Sequence, residues 1–264
     1  MKQLDMPEVR DIRLQVLDEV AAYCRGAGLT WFAAAGTLIG ALRHQGFIPW
    51  DDDIDLALPR PDFERFLREF DAPGFKVASL VHDPHNSFPF AKVWREGTLL
   101  VEDANLGVPI GINIDVFPID GLGNGVRAAR LRVSRILLLR SLFGLRTIRT
   151  RSGRAPLKNL GLAVGRAVTA PVRPAMLSRR ITDLATAHSL EESRLAGIAV
   201  WQNGLGEITP ADTFASSTVV HFESRELPAP VGYDAWLQGS YGDWRTPPPP
   251  EKRVTHHAYS AYRV

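Results

Sequence analysis

The sequence predicts an α/β fold, and three patterns favour that class. Residues 7–27 carry apolar side chains at helical spacing, with Pro7 at the first turn and Gly26 and Gly28 after the last. Residues 53–58 and 111–120 alternate apolar and polar side chains, which is typical of half-buried strands. The 264 residues are 45% hydrophobic and 23% charged, so the chain can bury a core of ordinary size.

Cysteine content and hydropathy limit the class of protein further. The one cysteine, Cys24, excludes an intramolecular disulfide framework and a cysteine zinc site. Its position in an apolar helical pattern predicts a buried structural thiol. The charged N-terminus lacks the apolar segment of a secretory signal, and no run of about 18 apolar residues predicts a spanning helix. We therefore expect a cytoplasmic protein.

A short segment after the first helix suits an anionic group. Residues 30–35 are a candidate strand that leads into a turn at Gly36 and Thr37, and residues 38–44 are a short helix. Backbone N–H groups at such a turn and helix start can bind phosphate. Arg43 and His44 end this helix. They either contact the same phosphate or are solvated cations favoured by the helix dipole.

Four carboxylates follow within five positions, at Asp51, Asp52, Asp53 and Asp55. Period two places Asp53 and Asp55 on one side of a strand, with Asp51 on the same side. Neighbouring carboxylates repel each other unless a cation lies between them, and Mg²⁺ prefers such oxygen ligands. The alternative is a solvated surface turn, or a cap for a helix at residues 62–70. The alternating apolar residues favour the metal site, because a solvated turn does not need them.

The following strands add one lysine and one further acid. Short strands are predicted at residues 75–80, 90–94 and 99–101, and the second contains Lys92, which by itself suggests a solvated lysine. In the strand at residues 111–120, Asp115 shares a face with Asn113, opposite the isoleucines. A polar residue there is costly if buried without a partner. Asp120 follows Pro118 and is expected to cap or turn the chain.

These motifs resemble a known family. Gly36-Thr37 followed by Asp53-Ile54-Asp55 is similar to the signature of the nucleotidyltransferase fold of DNA polymerase β. The longer string GTLIGALRHQGFIPWDDDIDLALPRPDFERF resembles the LicD family of phosphocholine transferases, which includes the fukutin-related ribitol-phosphate transferases. The resemblance implies a single domain over residues 1–264, with a mixed sheet flanked by helices. It also implies that Asp115 is the third acid of the site and that Lys92 contacts a substrate phosphate.

The C-terminal segment, residues 220–264, regains the likeness through GYDAWLQGSYGDWRTPPPPEKRVTHH. By composition the last part is a solvated tail, although Trp244, Tyr259 and Tyr262 offer apolar anchors. The resemblance implies that the segment folds back over the site and supplies phosphate-binding cations at Lys252, Arg253, His256 and His257. The two adjacent histidines are poor candidates for chelating one metal ion.

The middle of the chain, residues 121–190, is predicted to be a basic helical insertion. Residues 121–180 hold thirteen arginines and one lysine but no acid, whereas the rest of the chain has 17 basic and 29 acidic residues. Residues 127–146 form an amphipathic helix with a stripe of Leu131, Ser134, Leu138, Leu142 and Leu145. The stripe packs on the core, or the basic surface binds nucleic acid, or it rests on an anionic membrane. No nucleic-acid motif or interleaved aromatics favour the second interpretation, so no nucleic acid is expected.

The resemblance implies a reaction. We expect Mg²⁺-dependent transfer of a phospho-alcohol from a CDP-alcohol, such as CDP-choline, to a hydroxyl of a glycan or lipid-linked glycan, with release of CMP. Asp53 and Asp55 would hold one or two Mg²⁺ ions, which Mn²⁺ could replace. Asp115 would complete the metal site or take the proton of the attacking hydroxyl, and Asp51 would assist.

Two alternatives share the same residues. A nucleotidyltransferase would use an NTP to modify a small molecule and would release pyrophosphate. A non-catalytic protein that binds a membrane surface would retain the fold without the reaction. The long acidic string and the C-terminal ending favour phospho-alcohol transfer over nucleotidyl transfer. The intact acids argue against the non-catalytic alternative.

Overall fold

The computed structural model describes residues 1–83, 88–102, 109–147, 161, 163, 165–167, 169–200, 203–253 and 259–264. The α-helices are α1 Met6–Ala27, α2 Ala35–His44, α3 Arg60–Glu69, α4 Val126–Thr147, α5 Pro174–Ala185 and α6 Tyr233–Tyr241. The strands in the first half are β1 Lys2–Gln3, β2 Phe32–Ala33, β3 Asp55–Pro59, β4 Phe75–Ala78, β5 Ala91–Arg95, β6 Thr98–Glu102 and β7 Asn113–Gly123. Those in the second half are β8 Leu195–Gly197, β9 Thr209–Pro210, β10 Ser217–Phe222, β11 Arg225–Pro230 and β12 Tyr259–Arg263.

The central sheet is mixed, which confirms the predicted fold class. Its strand order is β2–β3–β7–β5–β4, with β3 and β7 parallel and the other neighbours antiparallel. Strand β8 extends this sheet from the far end of β7. Residues 55–58 of β3 are all buried, so the strand is not half-buried as its alternation predicted. The reason is its central position, where α2 and α3 also pack against it.

Helix α1 follows the sequence prediction closely. Asp5 and Glu8 form a capping box at its start, and Gly28 ends it in the left-handed conformation with φ 67°. Cys24 is fully buried on its inner face. Burial raises the pKa of the Cys24 thiol to about 12, which confirms the structural thiol.

Helices α2 and α3 both begin earlier than predicted. The prediction of a turn at Gly36 and Thr37 before the helix is wrong, because α2 starts at Ala35 and both residues lie in its first turn. The Thr37 hydroxyl accepts a hydrogen bond from Asp55 N at 2.8 Å, which ties this first turn to β3. Asp62 does not cap its own helix. Its side chain instead accepts a hydrogen bond from Thr30 N at 3.0 Å.

Strand β7 runs beyond the predicted end. Asp120 does not cap a turn but lies inside the strand, buried, with Arg60 Nε donating to its Oδ1 at 2.7 Å. The strand continues because β8 pairs with this end, opposite Asp120 through Gly197. Burial raises the pKa of Asp120, and the Arg60 charge opposes that shift.

The chain termini meet in a small sheet of order β1–β12–β6. Its apolar side packs on α1 in a second core, formed by Leu4, Val9, Ile12, Leu100, Ile112 and Ala261. The last residues are therefore an ordered strand and not a solvated tail. This strand docks beside α1, and the folding of the C-terminal segment over the site stays a prediction.

The basic segment packs through a different face than predicted. Helix α4 lies against α5, and its buried side chains are Ala129, Val133, Ile136, Phe143 and Thr147. Leu131 and Leu138, which the core-packing interpretation placed inside, are 56% and 63% exposed. Across the part of the chain described above, the helices are too short or too polar to cross a membrane.

Candidate active site

Three adjacent strands bring Asp55, Asp115 and Lys92 into one row. The parallel register of β3 and β7 pairs Asp55 with Asp115, and the antiparallel register of β7 and β5 pairs Asp115 with Lys92. Lys92 is buried, and its Nζ donates to Asp115 Oδ1 at 2.7 Å and to Asn113 Oδ1 at 3.5 Å. Asp115 and Asn113 therefore share a face, as predicted, and Lys92 is not a solvated lysine.

The two acids before β3 approach the start of α2. A Cβ atom added at Gly36 would lie 2.9 Å from Asp51 Oδ2 and 3.9 Å from Asp53 Oδ1. Any side chain at position 36 would therefore displace Asp51. Asp53 lies just ahead of β3 and not within it. The structure thus brings Asp51 and Asp53 together at the first turn of α2, near the row.

Negative charges surround the buried Asp55. Asp55 is fully buried, and burial raises its pKa well above the ordinary value. The negative charges of Asp53, Asp115 and Asp51 raise this pKa further, while Lys92 lowers it. The solvated-turn interpretation of the acidic run is therefore wrong for Asp55.

The donor set suits a hard divalent cation that shares its ligands with substrate. Magnesium is commonly held by one or two carboxylates, with phosphate oxygens and water in the other positions. Among the residues that the structure describes, no three His, Cys, Asp or Glu side chains are arranged to hold a metal ion by themselves. Asp53 and Asp55 could each offer a carboxylate to a magnesium ion whose other ligands come from substrate and water.

The start of α2 adds backbone donors at the edge of the acids. Its N-cap is Ala34, which has no side chain that can accept from the first turn. The first N–H groups of a helix have no partner within it, and they favour an anion. Ala35 has φ 44°, so the chain enters this helix through a left-handed residue.

Two of the predicted phosphate-binding side chains contact Trp50, next to Asp51. The Arg253 guanidinium lies 5.3 Å from the centre of the Trp50 ring, and the His44 ring meets it edge-on at 6.2 Å. Arg43 Nη1 donates to Trp244 O at 3.0 Å. Burial and then the Arg253 charge lower the pKa of Arg43, and burial and then Arg43 lower that of His44. Burial is the larger cause of both shifts, and the lowered pKa of His44 favours its neutral ring at neutral pH.

Of the remaining predicted cations, the structure describes Lys252 alone. Lys252 is exposed in the short 3₁₀ helix Pro250–Lys252. His256 and His257 lie outside the described residues.

The sequence reasoning missed a buried ion pair at the middle aspartate. Asp52 is 1% exposed, and its Oδ2 is bonded by both Arg13 Nη1 and the Tyr259 hydroxyl. Arg13 also donates to Asp52 O at 2.7 Å and to Asn113 O at 3.1 Å. Burial raises the pKa of Tyr259 to about 12, so this hydroxyl keeps its proton. Asp52 therefore joins α1, the acidic loop and β12, and the one sequence signal was an arginine on the apolar face of α1.

Two further side chains that the sequence reasoning missed hold the loop between α2 and the acids. Arg10 Nη2 donates to Asp51 O at 2.6 Å. Glu223 Oε1 accepts from Phe47 N at 3.1 Å. A Cβ atom at Gly46 would lie 2.3 Å from Glu223 Oε1, so only glycine leaves room for this contact. The loop is fixed from both sides.

Tyr241, the first residue of the sequence YGDW at residues 241–244, also approaches the acids. Burial of its hydroxyl raises the pKa of Tyr241, and the charges of Glu207 and Asp55 raise it further, although 39% of the residue is exposed. Glu207 is itself buried and accepts from Trp236 Nε1 at 2.8 Å. The sequence reasoning noted YGDW but assigned no role to its tyrosine.

Residues 28–99 match the family described as LicD/FKTN/FKRP, nucleotidyltransferase domain. The matched residues include the acidic loop, the start of α2 and Lys92, whereas Asp115 and the C-terminal segment follow them.

Similarity to one LicD protein extends over nearly the whole chain. The lipopolysaccharide cholinephosphotransferase LicD of Haemophilus influenzae is 26% identical over 278 residues, which cover 99% of each chain. Two uncharacterized proteins, from Rickettsia typhi and Rickettsia prowazekii, are each 38% identical over 52 and 53 residues. These matches cover 19% of this chain and 17% and 20% of the two relatives. The full-length similarity is to a transferase.

Proposed function

We propose that the protein transfers a phospho-alcohol, phosphocholine in the first instance, from a CDP-alcohol to a glycan hydroxyl and releases CMP. The observation that carries this proposal is the row of Asp55, Asp115 and Lys92, with Asp53 beside it at the start of α2. The stretch that matches the LicD family includes most of these residues. The segment between α2 and β3 carries carboxylates that could bind a cation. Basic side chains near Trp50 could bind phosphate.

Donor binding would use both halves of the site. Asp53 and Asp55 would hold Mg²⁺, which neutralises negative charge on the donor pyrophosphate when it is bound. Arg253 and His44 contact Trp50, Arg43 contacts Trp244 O, and these side chains would bind phosphate oxygens. The first turn of α2 would orient the same phosphates through backbone N–H groups.

Asp115 is the candidate group for handling the acceptor proton. Its carboxylate is held by Lys92 Nζ at 2.7 Å, which fixes its orientation. It would accept the proton of the attacking hydroxyl. Attack on the distal phosphorus of the donor then gives the phospho-alcohol ester and CMP.

The similarity to the Haemophilus protein supports the choice of substrates. That relative is named as a cholinephosphotransferase that acts on lipopolysaccharide, and it is similar to this chain over 99% of both lengths. We therefore propose choline as the alcohol and lipopolysaccharide, or a related surface glycan, as the acceptor.

The test is the identity of the nucleotide product. The protein is mixed with lipopolysaccharide, Mg²⁺ and a panel of CDP-alcohols and NTPs, and the nucleotides are identified by mass spectrometry. We expect CMP from one CDP-alcohol and a loss of at least about 100-fold in Asp53→Asn, since several kcal/mol of charge stabilisation disappear. Asp71→Asn, at an exposed aspartate outside the site, is the matched control. Pyrophosphate from an NTP would instead establish a nucleotidyltransferase.

A further inference from the structure

Helix α4 exposes a line of leucines. Leu131 and Leu138 are 56% and 63% exposed, and Leu142 is partly exposed. Residues seven or four positions apart lie on the same side of a helix, so these three side chains form one stripe. The opposite side carries the buried Val133 and Ile136. The helix therefore has two apolar lines, one packed on the core and a second that faces away from it.

Arginines border this stripe. Arg127, Arg130 and Arg135 are all exposed on α4. Residues 121–180 contain no acidic residue, so no carboxylate of this segment neutralises these three arginines. We call the surface formed by Arg127, Arg130, Leu131, Arg135 and Leu138 the leucine–arginine face.

A later segment of the chain covers the C-terminal end of the leucine stripe. A Cβ atom at Gly165 would lie 3.3 Å from Leu145 Cδ2, so Leu145 packs against this later segment. Arg146 Nη1 also donates to Arg166 O at 3.3 Å. The exposed part of the stripe is thus the N-terminal two-thirds of α4.

We propose that the leucine–arginine face binds the surface of an anionic lipid bilayer. Leucine side chains can enter the boundary between headgroups and acyl chains, while flanking arginines contact anionic headgroups. The charge of the face is complementary to such a bilayer. A nucleic acid would match the charge but would not use the leucines, and the exposed side chains along α4 include no aromatic residue for base stacking.

The inference depends on α4 alone and not on the proposed transfer reaction. A bilayer contact at this face would hold the protein where lipid-linked glycans are found. Binding to vesicles can be measured without donor, acceptor or Mg²⁺. A failure of vesicle binding therefore leaves the proposed reaction untouched, and a failure of the reaction leaves vesicle binding untouched.

The first arm of the experiment tests the leucines. The full chain is mixed with vesicles of phosphatidylcholine, with or without phosphatidylglycerol, at low salt, and the bound fraction is measured by flotation. We expect binding only with phosphatidylglycerol, and a fall of at least ten-fold in the double variant Leu131→Gln, Leu138→Gln. The double variant Val219→Gln, Val231→Gln changes residues that are 62% and 54% exposed elsewhere and should bind like the wild type.

The second arm tests the arginines. Each arginine near an anionic surface strengthens binding roughly five-fold, so Arg127→Gln, Arg130→Gln and Arg135→Gln together should weaken it about 100-fold. The control removes the same charge from exposed arginines outside the face, with Arg25→Gln, Arg68→Gln and Arg194→Gln. Thermal melting confirms that every variant is folded. We expect the control to lose far less binding than the face variant.

Three results would overturn the proposal. The first is no retention of the wild type by anionic vesicles at low salt. The second is equal retention of the wild type and the leucine variant, which would reduce the contact to non-specific charge attraction. The third is release of the protein from anionic vesicles by soluble glycerophosphate at the same concentration as the lipid headgroups. That result would indicate a phosphate site and not a bilayer surface.

Discussion

Asp52 and Asp53 are neighbours in sequence but have different surroundings. Asp52 is buried against Arg13 and Tyr259, whereas Asp53 faces the other carboxylates of the site. The string DDD contains no local signal that separates them, because the partners of Asp52 come from α1 and β12. A period of two correctly paired Asp51 with Asp53, but it could not reveal what the residue between them does.

Substitution of these two aspartates should therefore separate stability from activity. In Asp52→Asn the buried Arg13 loses its counter-charge, and we expect the free energy of unfolding to fall by about 3–5 kcal/mol. In Asp53→Asn one repelling carboxylate disappears, so stability should change by less than about 1 kcal/mol while transfer is lost. Urea unfolding of both variants measures the difference. Equal destabilisation by the two changes would contradict the assigned environments.

Lys92 is the second residue whose role depends on the row across the sheet. In Lys92→Met, Asp115 loses the cation that orients it, and we expect kcat to fall by at least about 100-fold. Lys92→Arg should recover part of the activity, since it restores the positive charge.

Lys76 provides the control for this change. It is an exposed lysine on the adjacent strand β4, and its ion pair with Glu96 is on the surface. Lys76→Met should leave kcat within about two-fold of the wild type, because surface ion pairs contribute little. A similar loss in both lysine variants would show that the assay reports general charge and not the Asp115 contact.

At the scale of elements, α4 shows why a helical period alone does not identify the packed face. Leucines, valines and isoleucines occur on more than one side of this helix, so several stripes fit the same period. The structure selects the side with Ala129, Val133 and Ile136, which meets α5 and the core. The sequence contains no signal for that choice, because it depends on which side of the helix fits its neighbours.

A pair of substitutions two positions apart tests which face of α4 is buried. Ile136 is fully buried, so Ile136→Ala should lower the free energy of unfolding by about 2–5 kcal/mol. Leu138 is 63% exposed, and Leu138→Ala should change it by no more than about 0.5 kcal/mol. Thermal and urea unfolding give both values. The opposite ranking would restore the core-packing interpretation of the leucine stripe.

Strand β12 is the element that the composition of the tail least suggested. Ala261 is 2% exposed in the small core between this strand and α1. A glutamate there would bury an unpaired charge, so Ala261→Glu should lower stability by at least about 3 kcal/mol.

Val264 provides the control on the same segment. It is 63% exposed, and Val264→Glu should be nearly neutral. Ala261→Glu should also weaken the contact of Tyr259 with Asp52, which near-ultraviolet circular dichroism of the tyrosines can follow. Equal stability of the two glutamate variants would show that β12 is not docked.

At the scale of the whole molecule, local patterns predicted the parts and long-range pairing decided the site. Alternation identified the strands with Asp55 and Asp115, and helical spacing identified α1, because these signals lie within single elements. The ion pair of Lys92 with Asp115 and the anchoring of Asp52 by Tyr259 depend on strand register and chain return. Those relations join residues that are distant in sequence, so composition and period do not contain them.

The central claim is that the acidic row transfers an intact phospho-alcohol and leaves the cytidine behind. The most direct measurement uses CDP-choline labelled separately in its choline and cytidine parts, with lipopolysaccharide as acceptor. We predict that the glycan gains phosphocholine with the choline label and that the cytidine label leaves as CMP. Asp55→Asn should abolish both. Appearance of the cytidine label on the glycan, or undiminished transfer by Asp55→Asn, would contradict this claim.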